Sequence, residues 1–484
     1  MCNIDRTEIQ GNSVVPGPDG DAIPKTAKPS EPLRRPSVAL LTPYNGGNFG
    51  DAVIQDAVIA NLRLRLPGVR IAGITLGSEN FLKRHGSDAF PLCASDLPFY
   101  SMGSPWSAEA SVNQGSELGA PKSKSWKGAL KGLLRRIPMA RRVGKSLQPM
   151  LTSASQEIRH AIGGYRFLRT KKLLIVSGGG QLDEEWGGAW GHPYYLFKWV
   201  LTAKLARIPI AIASVGAGKT CSSISRLFLN LTLRLANYRS YREMNTRNIA
   251  SKWYSGAIGD AVVPDLAFSL PLSLLPPPAG IRSLAQGRSI VALSPIAYAK
   301  PGQWPTHNQA LYERYLNKLQ QVVCQLLESG YFVVLVWSSA GDDEKVISDL
   351  LASLKDGSNG ALKSRIHIPK IRNWKELASV LCDVDFLVAS RLHSAILGFL
   401  TNTPVVAISF DPKVDWVMQD LGQTDYLLHI NNFLPEDVLE ALDRLNRNCD
   451  NIRGQIAAYH RRVFPLFSLQ YDSLVKMVGA SGEQ

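Results

Sequence analysis

The sequence has few cysteines, and none of them forms a Cys-x-x-Cys pair. The six are Cys2, Cys93, Cys221, Cys324, Cys382 and Cys449. Their spacing argues against a zinc knuckle or a thioredoxin-like redox site. Cys324 and Cys382 stand in apolar runs and are predicted to be buried thiols, as in proteins of a reducing cytosol.

Long apolar segments are also missing. No run of about 18 uncharged apolar residues occurs, and the nearest candidate, residues 194–215, contains three basic side chains. Because a spanning helix needs about 20 apolar residues, we predict no membrane span. The polar N-terminus lacks the apolar stretch of a signal peptide. These absences predict a cytoplasmic protein.

The composition is that of a globular protein with an excess of positive charge. Apolar residues make up 45% of the 484 residues and charged residues 19%. This length favours more than one domain, since single cores usually stop growing at about 250–300 residues. The formal net charge of +14 favours polyanionic partners, namely nucleic acid, anionic lipid, or phosphorylated and carboxylated small molecules.

Alternating apolar patterns predict two α/β domains after a disordered N-terminal extension of residues 1–35. In the N-terminal domain, 36–275, strands are expected at 37–41, 69–76, 172–177 and 208–215, with helices at 51–66, 193–207 and 225–236. In the C-terminal domain, 281–484, strands are expected at 290–294, 332–337, 386–390 and 405–408, with helices at 309–328, 343–354, 374–382 and from about 393. The linker between them is the proline run at 276–278. The predicted fold class is α/β, with two Rossmann-like, doubly wound domains in a GT-B-like arrangement and ligands in the cleft between them.

Two glycine-rich segments follow predicted strands. The first, Gly46-Gly47-Asn48-Phe49-Gly50-Asp51, precedes a helix, where free N–H groups attract anions. A tight turn with Asp51 as a helix cap is an equally good interpretation. The second, Gly178-Gly179-Gly180-Gln181-Leu182, indicates close approach of a ligand to the backbone. The acids at 183–185 that follow are typical of a solvated turn, and we assign no metal.

A further glycine segment imitates a nucleotide-binding loop. Gly216-Ala217-Gly218-Lys219-Thr220 ends like a P-loop, but the first glycine of that motif is replaced by Ala213. We therefore expect no nucleotide P-loop at this position.

Arginine and histidine stand at two further strand ends. Arg242 follows a short strand-like segment and suits bidentate binding of carboxylate or phosphate, although a surface arginine at a helix start is the commoner case. Arg391 and His393 follow the predicted strand at 386–390, where α/β active sites lie, and His393 is a candidate general acid or base. Lys413 follows the next strand and is expected at the same edge of the sheet.

The stretch at about 86–165 interrupts the α/β pattern and is strongly basic. Its basic residues are Lys122, Lys124, Lys127, Lys131, Arg135, Arg136, Arg141, Arg142 and Lys145. Interleaved apolar residues favour an amphipathic helix on an anionic membrane, which would place the protein peripherally at its inner face. A solvated basic helix is nearly as good an interpretation. No nucleic-acid partner is predicted, because no recognisable nucleic-acid-binding fold accompanies the charge.

Taken in order, these motifs resemble the polysaccharide pyruvyl transferase family. The resemblance covers residue 37 to the end of the chain, apart from the basic insert. It includes the glycine segments, the Arg242-Glu243 pair, Pro264-Asp265-Leu266-Ala267-Phe268, and Arg391-Leu392-His393-Ser394 followed by Asp411-Pro412-Lys413. Glu243 stands where the family usually has Asp, and Ala52 where an acid is common.

The resemblance implies transfer of a pyruvyl group from phosphoenolpyruvate to a sugar of a surface glycan, with a lipid-linked acceptor and no cofactor. The implied catalytic residues are His393, Arg391 and Arg242. The implied substrate-binding residues are Asn48, Gly50, Asp51, Gly178, Gly179, Gly180, Gln181, Leu392, Ser394 and Lys413. A nucleotide-sugar glycosyltransferase and a non-catalytic glycan- or membrane-binding protein remain as alternatives, because fold does not fix function.

Overall fold

A computed structural model describes residues 36–94, 155–185, 187–218, 222–304, 307–355 and 364–480. The predicted disorder of residues 1–35 and the predicted amphipathic helix of the basic insert lie outside these ranges. No helix of the described ranges is long and apolar enough to cross a bilayer.

The first half of the chain forms a seven-stranded parallel sheet with the strand order 3-2-1-4-5-6-7. Its strands are β1 (Ser37–Leu41), β2 (Arg70–Thr75), β3 (Ala89–Pro91), β4 (Leu173–Ser177), β5 (Ile210–Val215), β6 (Tyr238–Tyr241) and β7 (Ala261–Val262). The helices are α1 (Phe49–Arg65), α2 (Ser78–His85), α3 (155–168), α4 (His192–Leu205), α5 (Ser223–Leu235) and α6 (Met244–Ser251). Strands β4 and β5 are buried throughout, as expected when helices cover both faces of a parallel sheet.

The second half repeats this architecture with six parallel strands in the order 3-2-1-4-5-6. They are β8 (Ile290–Ser294), β9 (Phe332–Leu335), β10 (Ile366–His367), β11 (Phe386–Ala389), β12 (Val405–Ser409) and β13 (Leu427–His429). The helices are α7 (Gln309–Glu328), α8 (Asp343–Lys355), α9 (Trp374–Leu381), α10 (Leu392–Leu400), α11 (Pro412–Asp420), α12 (Pro435–Arg447) and α13 (Cys449–Ala480). The predicted fold class, two doubly wound Rossmann-like sheets, is confirmed.

Each sheet has a point at which its strand order reverses. In the first sheet β1 lies between β2 and β4, and in the second β8 lies between β9 and β11. Loops diverge at such a point and open a crevice at the carboxyl ends of the strands, where α/β proteins bind ligands. The segments after β1, β4 and β11 are those that the sequence marks as candidate sites.

Direct contacts join the two halves. The Phe49 amide donates to the Ser338 carbonyl at 2.9 Å, and the Ala340 amide donates to the Gly47 carbonyl at 3.0 Å. Trp374 of α9 donates from Nε1 to Asp56 of α1 at 2.6 Å. The start of α1 is therefore bonded directly to the loop that follows β9.

The last helix, α13, also reaches the first sheet. Gln470 donates from Nε2 to Ser214 Oγ in β5 at 3.1 Å, and Asp472 pairs with Arg65 of α1 at 3.0 Å. The proline run lies against α9, where Ser379 donates to the Pro277 carbonyl at 2.6 Å. The domain ranges given above stay a prediction.

Candidate active site

His393, in the first turn of α10, packs on the backbone of α1. A methyl group at Gly50 would overlap the His393 ring, so only glycine leaves room for the imidazole at this position. Asn48 caps α1 by accepting a hydrogen bond from the Gly50 amide at 2.9 Å, which fixes this backbone. The contact joins the segments after β1 and β11, both predicted site segments.

The carboxylate of Asp265 lies beneath His393. Nε2 of His393 is 3.7 Å from Oδ2 of Asp265 and has no hydrogen-bond partner among the described residues. Asp265 is fully buried, and its Oδ1 accepts the Ala267 amide at 3.0 Å. Burial raises the pKa of this carboxyl, but its interactions with His393 and then with Arg242 outweigh burial and hold the pKa below its ordinary range. Asp265 is therefore held in its ionised form by these two partners.

Arg242 binds the same oxygen of Asp265 from the first half of the chain. Its Nη1 donates to Asp265 Oδ2 at 3.2 Å, and its Nε donates to Glu243 Oε2 at 2.7 Å. The side chain is 2% exposed, so the guanidinium is held between two carboxylates with little water. Its Nη2 has no hydrogen-bond partner in the described part of the chain and lies against Gly216. Buried donors rarely remain unpaired, which marks this nitrogen as a candidate ligand contact.

Arg391 is held by one carboxylate in a bidentate ion pair. Its Nε and Nη2 donate to the two oxygens of Asp343 at 2.6 and 2.7 Å. Asp343 is fully buried, whereas the Arg391 side chain is partly exposed. Burial lowers the pKa of Arg391, but the Asp343 carboxylate outweighs it, and the net pKa is raised. Arg391 is therefore a cation fixed by Asp343, with its side chain partly exposed.

Asp51, in the first turn of α1, adds a second carboxyl group near His393. Burial raises its pKa and the nearby Asp265 raises it further, while His393 and Arg391 lower it. Its Oδ1 lies 3.7 Å from the position that a Cβ of Gly179 would occupy. Asp51 therefore connects the His393 cluster with the glycine segment after β4.

The start of α10 carries three predicted site residues with different surroundings. Ser394 is buried and shares hydrogen bonds with Ser294 Oγ at 2.8 Å and Ser338 Oγ at 2.9 Å, so its side chain holds the ends of β8 and β9 together. Leu392 packs partly against the core. No described side chain caps this helix, and its first amides remain available to an anion.

The glycine segment after β4 forms a bend. Asp51 lies near Gly179 on one side of it, and Lys413 and Asp183 lie near Gly180 on the other. Gly178 and Gly179 have φ values of 44° and 66°, a left-handed conformation that favours glycine. Gln181 is buried, with its amide donating to the Ser177 carbonyl at 3.3 Å and its oxygen 2.9 Å from His192 Nε2. The Gln181 side chain thus supports the bend from within.

Lys413 and Asp183 lie on the other side of this bend. Nζ of Lys413 is 3.5 Å from the position of a Cβ at Gly180, and an Asp183 oxygen is 3.0 Å from the same position. Asp183 is buried, and burial raises its pKa to about 7 against the lowering effect of Lys413. A carboxyl group that titrates near neutral pH thus lies beside a cation at the cleft.

The structure brings most of the predicted residues to one edge of the two sheets. Asp265 and Asp343 had no assigned role, although Asp265 lies in a motif after a strand and Asp343 at the start of a helix. Both became recognisable only when the fold placed them against Arg242 and Arg391. Among the described residues no group of three or more His, Cys, Asp or Glu side chains is arranged to hold a metal ion.

Comparison with known proteins identifies a family whose model matches this chain. The model of the polysaccharide pyruvyl transferase family matches residues 48–412. The amylovoran biosynthesis protein AmsJ of Erwinia amylovora is 23% identical over 266 residues, which are 54% of this chain and 63% of that protein. The match therefore spans less than two thirds of that relative.

Solved structures share the fold at low sequence identity. Anabaena HepE, solved in complex with UDP, has a TM-score of 0.52 and 11% identity, with 92% of this chain and all of that chain covered. A glycosyltransferase from Rickettsia africae has a TM-score of 0.51 and 10% identity, with 93% and 99% covered. These likenesses support the GT-B-like fold alone.

Proposed function

The chain belongs to the polysaccharide pyruvyl transferase family, and on that premise we propose that it transfers the pyruvyl group of phosphoenolpyruvate to two hydroxyl groups of one sugar, forming a ketal. The acceptor proposed is a lipid-linked precursor of a surface glycan. One observation carries the proposal. Two buried nitrogen atoms, Nε2 of His393 and Nη2 of Arg242, lack hydrogen-bond partners among the described residues and belong to side chains that contact the same oxygen of Asp265.

The donor carries a carboxylate and a phosphate, so its site needs positive groups held in place. Arg242 and Arg391 are fixed by carboxylates on one side, which orients the remaining N–H groups. The free amides at the start of α10 add a further anion-binding group. We assign the donor's anionic groups to these three elements, with Lys413 beside the glycine bend as a third cation.

The reaction needs one proton delivered to carbon. In the proposed step, His393 donates the proton to the methylene carbon of phosphoenolpyruvate, which becomes a methyl group, while a sugar hydroxyl attacks the adjacent carbon. That hydroxyl loses its proton, which returns the imidazole to its charged form. A second hydroxyl then replaces the phosphate, which leaves with that hydroxyl's proton. Proton transfer by a positioned side chain is worth about 10²–10⁴-fold in rate.

Asp265 acts through His393 in this scheme. The buried Asp265 carboxylate, 3.7 Å from Nε2, orients the His393 ring for the proposed proton transfer. Gly50 provides the space in which the ring lies. No electron is transferred between substrate and protein, so the proposed chemistry requires no redox cofactor.

The test is incubation of the full chain with phosphoenolpyruvate and lipid-linked glycans, following phosphate release and the mass of the glycan. The expected result is one phosphate released for each pyruvyl ketal formed. A matched acceptor with one of the two hydroxyls methylated should give no ketal. The proposal fails if phosphoenolpyruvate is not consumed with any acceptor while a nucleotide sugar is consumed instead.

A further inference from the structure

Helix α5 has apolar residues on its outward side as well as on its buried side. Its inward side buries Leu229 and Leu233 together with the polar residues Ser225 and Thr232. Its outward side carries Ile224 and Leu227, of which Leu227 is 54% exposed. A surface helix ordinarily keeps polar residues on its outward side, so Ile224 and Leu227 form a second apolar stripe that the described residues do not cover.

The neighbouring helix α4 continues the stripe. Leu201 and Leu205 are exposed on α4, and Leu205 is 64% exposed. Phe197 of α4 stacks on Phe228 of α5 with ring centroids 5.4 Å apart, which joins the two helices. Trp190, just before α4, is exposed and contacts the same Phe228 ring at 5.5 Å.

Helix α3 extends the stripe on the other side of α4. Ile158 and Ile162 are exposed one helical turn apart on α3. Glu157 of α3 pairs with Lys198 of α4 at 2.6 Å, so the two helices are in contact. We call the outward surface of these three helices the α3–α5 face.

The charge of the α3–α5 face is almost entirely positive. Within α3, α4, α5 and the residues that directly follow them, the exposed basic residues are Arg159, Arg166, Arg169, Lys204, Arg207, Arg226 and Arg234. The three helices contain one acid, Glu157, which is already bonded to Lys198. The segment before Trp190 adds two acids, Glu184, which accepts a hydrogen bond from Ser225 Oγ at 2.5 Å, and the exposed Glu185. Basic side chains still outnumber acids, and an apolar stripe among them is complementary to a surface that is both apolar and negatively charged.

From this juxtaposition we propose that the α3–α5 face docks on the surface of an anionic lipid bilayer. Leucine, isoleucine and tryptophan side chains enter the boundary between headgroups and acyl chains, and the arginines bind the anionic headgroups. A second copy of this chain would present the same basic face and would be repelled. The insert at 95–154 is also basic, so charge disfavours it as the segment that covers the face. Charge therefore favours an anionic lipid surface over both.

The face begins beside the candidate active site. Trp190 lies in the segment that runs from Asp183, at the glycine bend, to the start of α4. A protein docked through this face would hold the cleft close to acceptors carried by lipid. The inference rests on the helices alone and does not require the donor chemistry, so it can fail or hold independently of the proposed function.

The experiment is vesicle flotation with the full chain at low salt and without substrate. Vesicles of phosphatidylcholine alone are compared with vesicles that also contain phosphatidylglycerol. We expect flotation with the anionic vesicles only. The variant Leu201→Ser/Leu205→Ser/Leu227→Ser should bind about tenfold or more weakly, because three exposed leucines no longer enter the bilayer. Arg159→Gln/Arg166→Gln should weaken binding by about tenfold, since each basic side chain contributes separately.

A matched control distinguishes the face from general surface hydrophobicity. Leu64, Leu82 and Leu469 are also exposed leucines on helices, but lie on α1, α2 and α13. Their joint replacement by serine should leave flotation unchanged. The proposal is overturned if the α3–α5 leucine variant floats like the wild type, since the intact insert would then account for binding. Equal flotation with neutral vesicles, or a wild-type dimer that this variant dissociates, would overturn it as well.

Discussion

His393 and Arg242 come from different halves of the chain and contact one oxygen of Asp265. Nε2 of His393 lies 3.7 Å from Asp265 Oδ2, and Nη1 of Arg242 lies 3.2 Å from it. Interactions with both side chains hold the pKa of the Asp265 carboxyl below its ordinary range, against the effect of burial. In the proposed reaction this relation links the proton donor, His393, to Arg242, which binds an anionic group of the donor, and substitutions of the site residues can test each role.

Gly50 tests the position of the His393 ring. Gly50→Ala should reduce phosphate release by about 10²-fold or more, because the added methyl group displaces the imidazole from its place beside Asp265. Alanine otherwise favours a helix, so the melting temperature should change little compared with the loss of activity. The matched control is Gly454→Ala in α13, where a methyl group meets no atom within 4 Å and activity should not change. Normal activity of Gly50→Ala would contradict the assigned geometry.

Arg391 tests donor binding. Arg391→Lys should weaken binding of phosphoenolpyruvate by about tenfold. The guanidinium group bonds both oxygens of Asp343 and still has an N–H group for the substrate, and a single ammonium group cannot do both. Calorimetric titration with phosphoenolpyruvate measures this. Arg282→Lys is the control, because Arg282 forms a similar fork with Asp385 on the surface. Unchanged affinity in Arg391→Lys would remove Arg391 from the donor site.

Arg242 should affect stability as well as binding. Arg242→Lys should lower the free energy of unfolding by about 1–3 kcal/mol, because a buried hydrogen bond to Glu243 or Asp265 is lost. The same replacement at the exposed Arg282 should cost under about 1 kcal/mol. Denaturant unfolding of both variants provides the comparison. Equal decreases in the free energy of unfolding for Arg242→Lys and Arg282→Lys would show that the ion pairs of Arg242 are not effectively buried.

The raised pKa of Asp183 predicts that the stability of the fold decreases as pH rises. Its pKa is raised from 3.8 to about 7 in the folded protein, so the unfolded chain loses this proton at lower pH than the folded one. The group therefore destabilises the fold progressively as pH rises from about 4 to about 7, by on the order of a few kcal/mol. Asp183→Asn removes this cost. Its melting temperature should exceed that of the wild type clearly at pH 8 and much less at pH 5, and an equal difference at both would contradict the raised pKa.

Much of the fold was predictable because buried parallel strands are continuous apolar runs. The strands at 37–41 and 290–294 have the predicted bounds. The edge strands β3, β7, β10 and β13 have only two or three residues each. Such short segments are too short to show a recognisable apolar pattern in the sequence. Helix α13 was not predicted, and its contacts with β5 and α1 depend on packing between residues more than 200 positions apart.

The site was predictable only where a polar residue follows a strand. Arg391 and His393 have this signal, and the structure places them at the cleft. The partners that hold them, Asp343 and Asp265, are distant in sequence and are identified only by three-dimensional contact. Gln181 and Ser394 show the reverse, because their motif positions suggested ligand contact while their side chains bond within the protein.

The most direct test of the central claim is the rate of phosphate release from phosphoenolpyruvate by His393→Ala, measured with an acceptor and with melting temperature and phosphoenolpyruvate binding recorded on the same sample. We predict a folded protein that still binds phosphoenolpyruvate, because the arginines hold it, and whose rate is lower by about 10²–10⁴-fold, because no group delivers the proton. A folded His393→Ala protein that releases phosphate at nearly the wild-type rate would contradict the account.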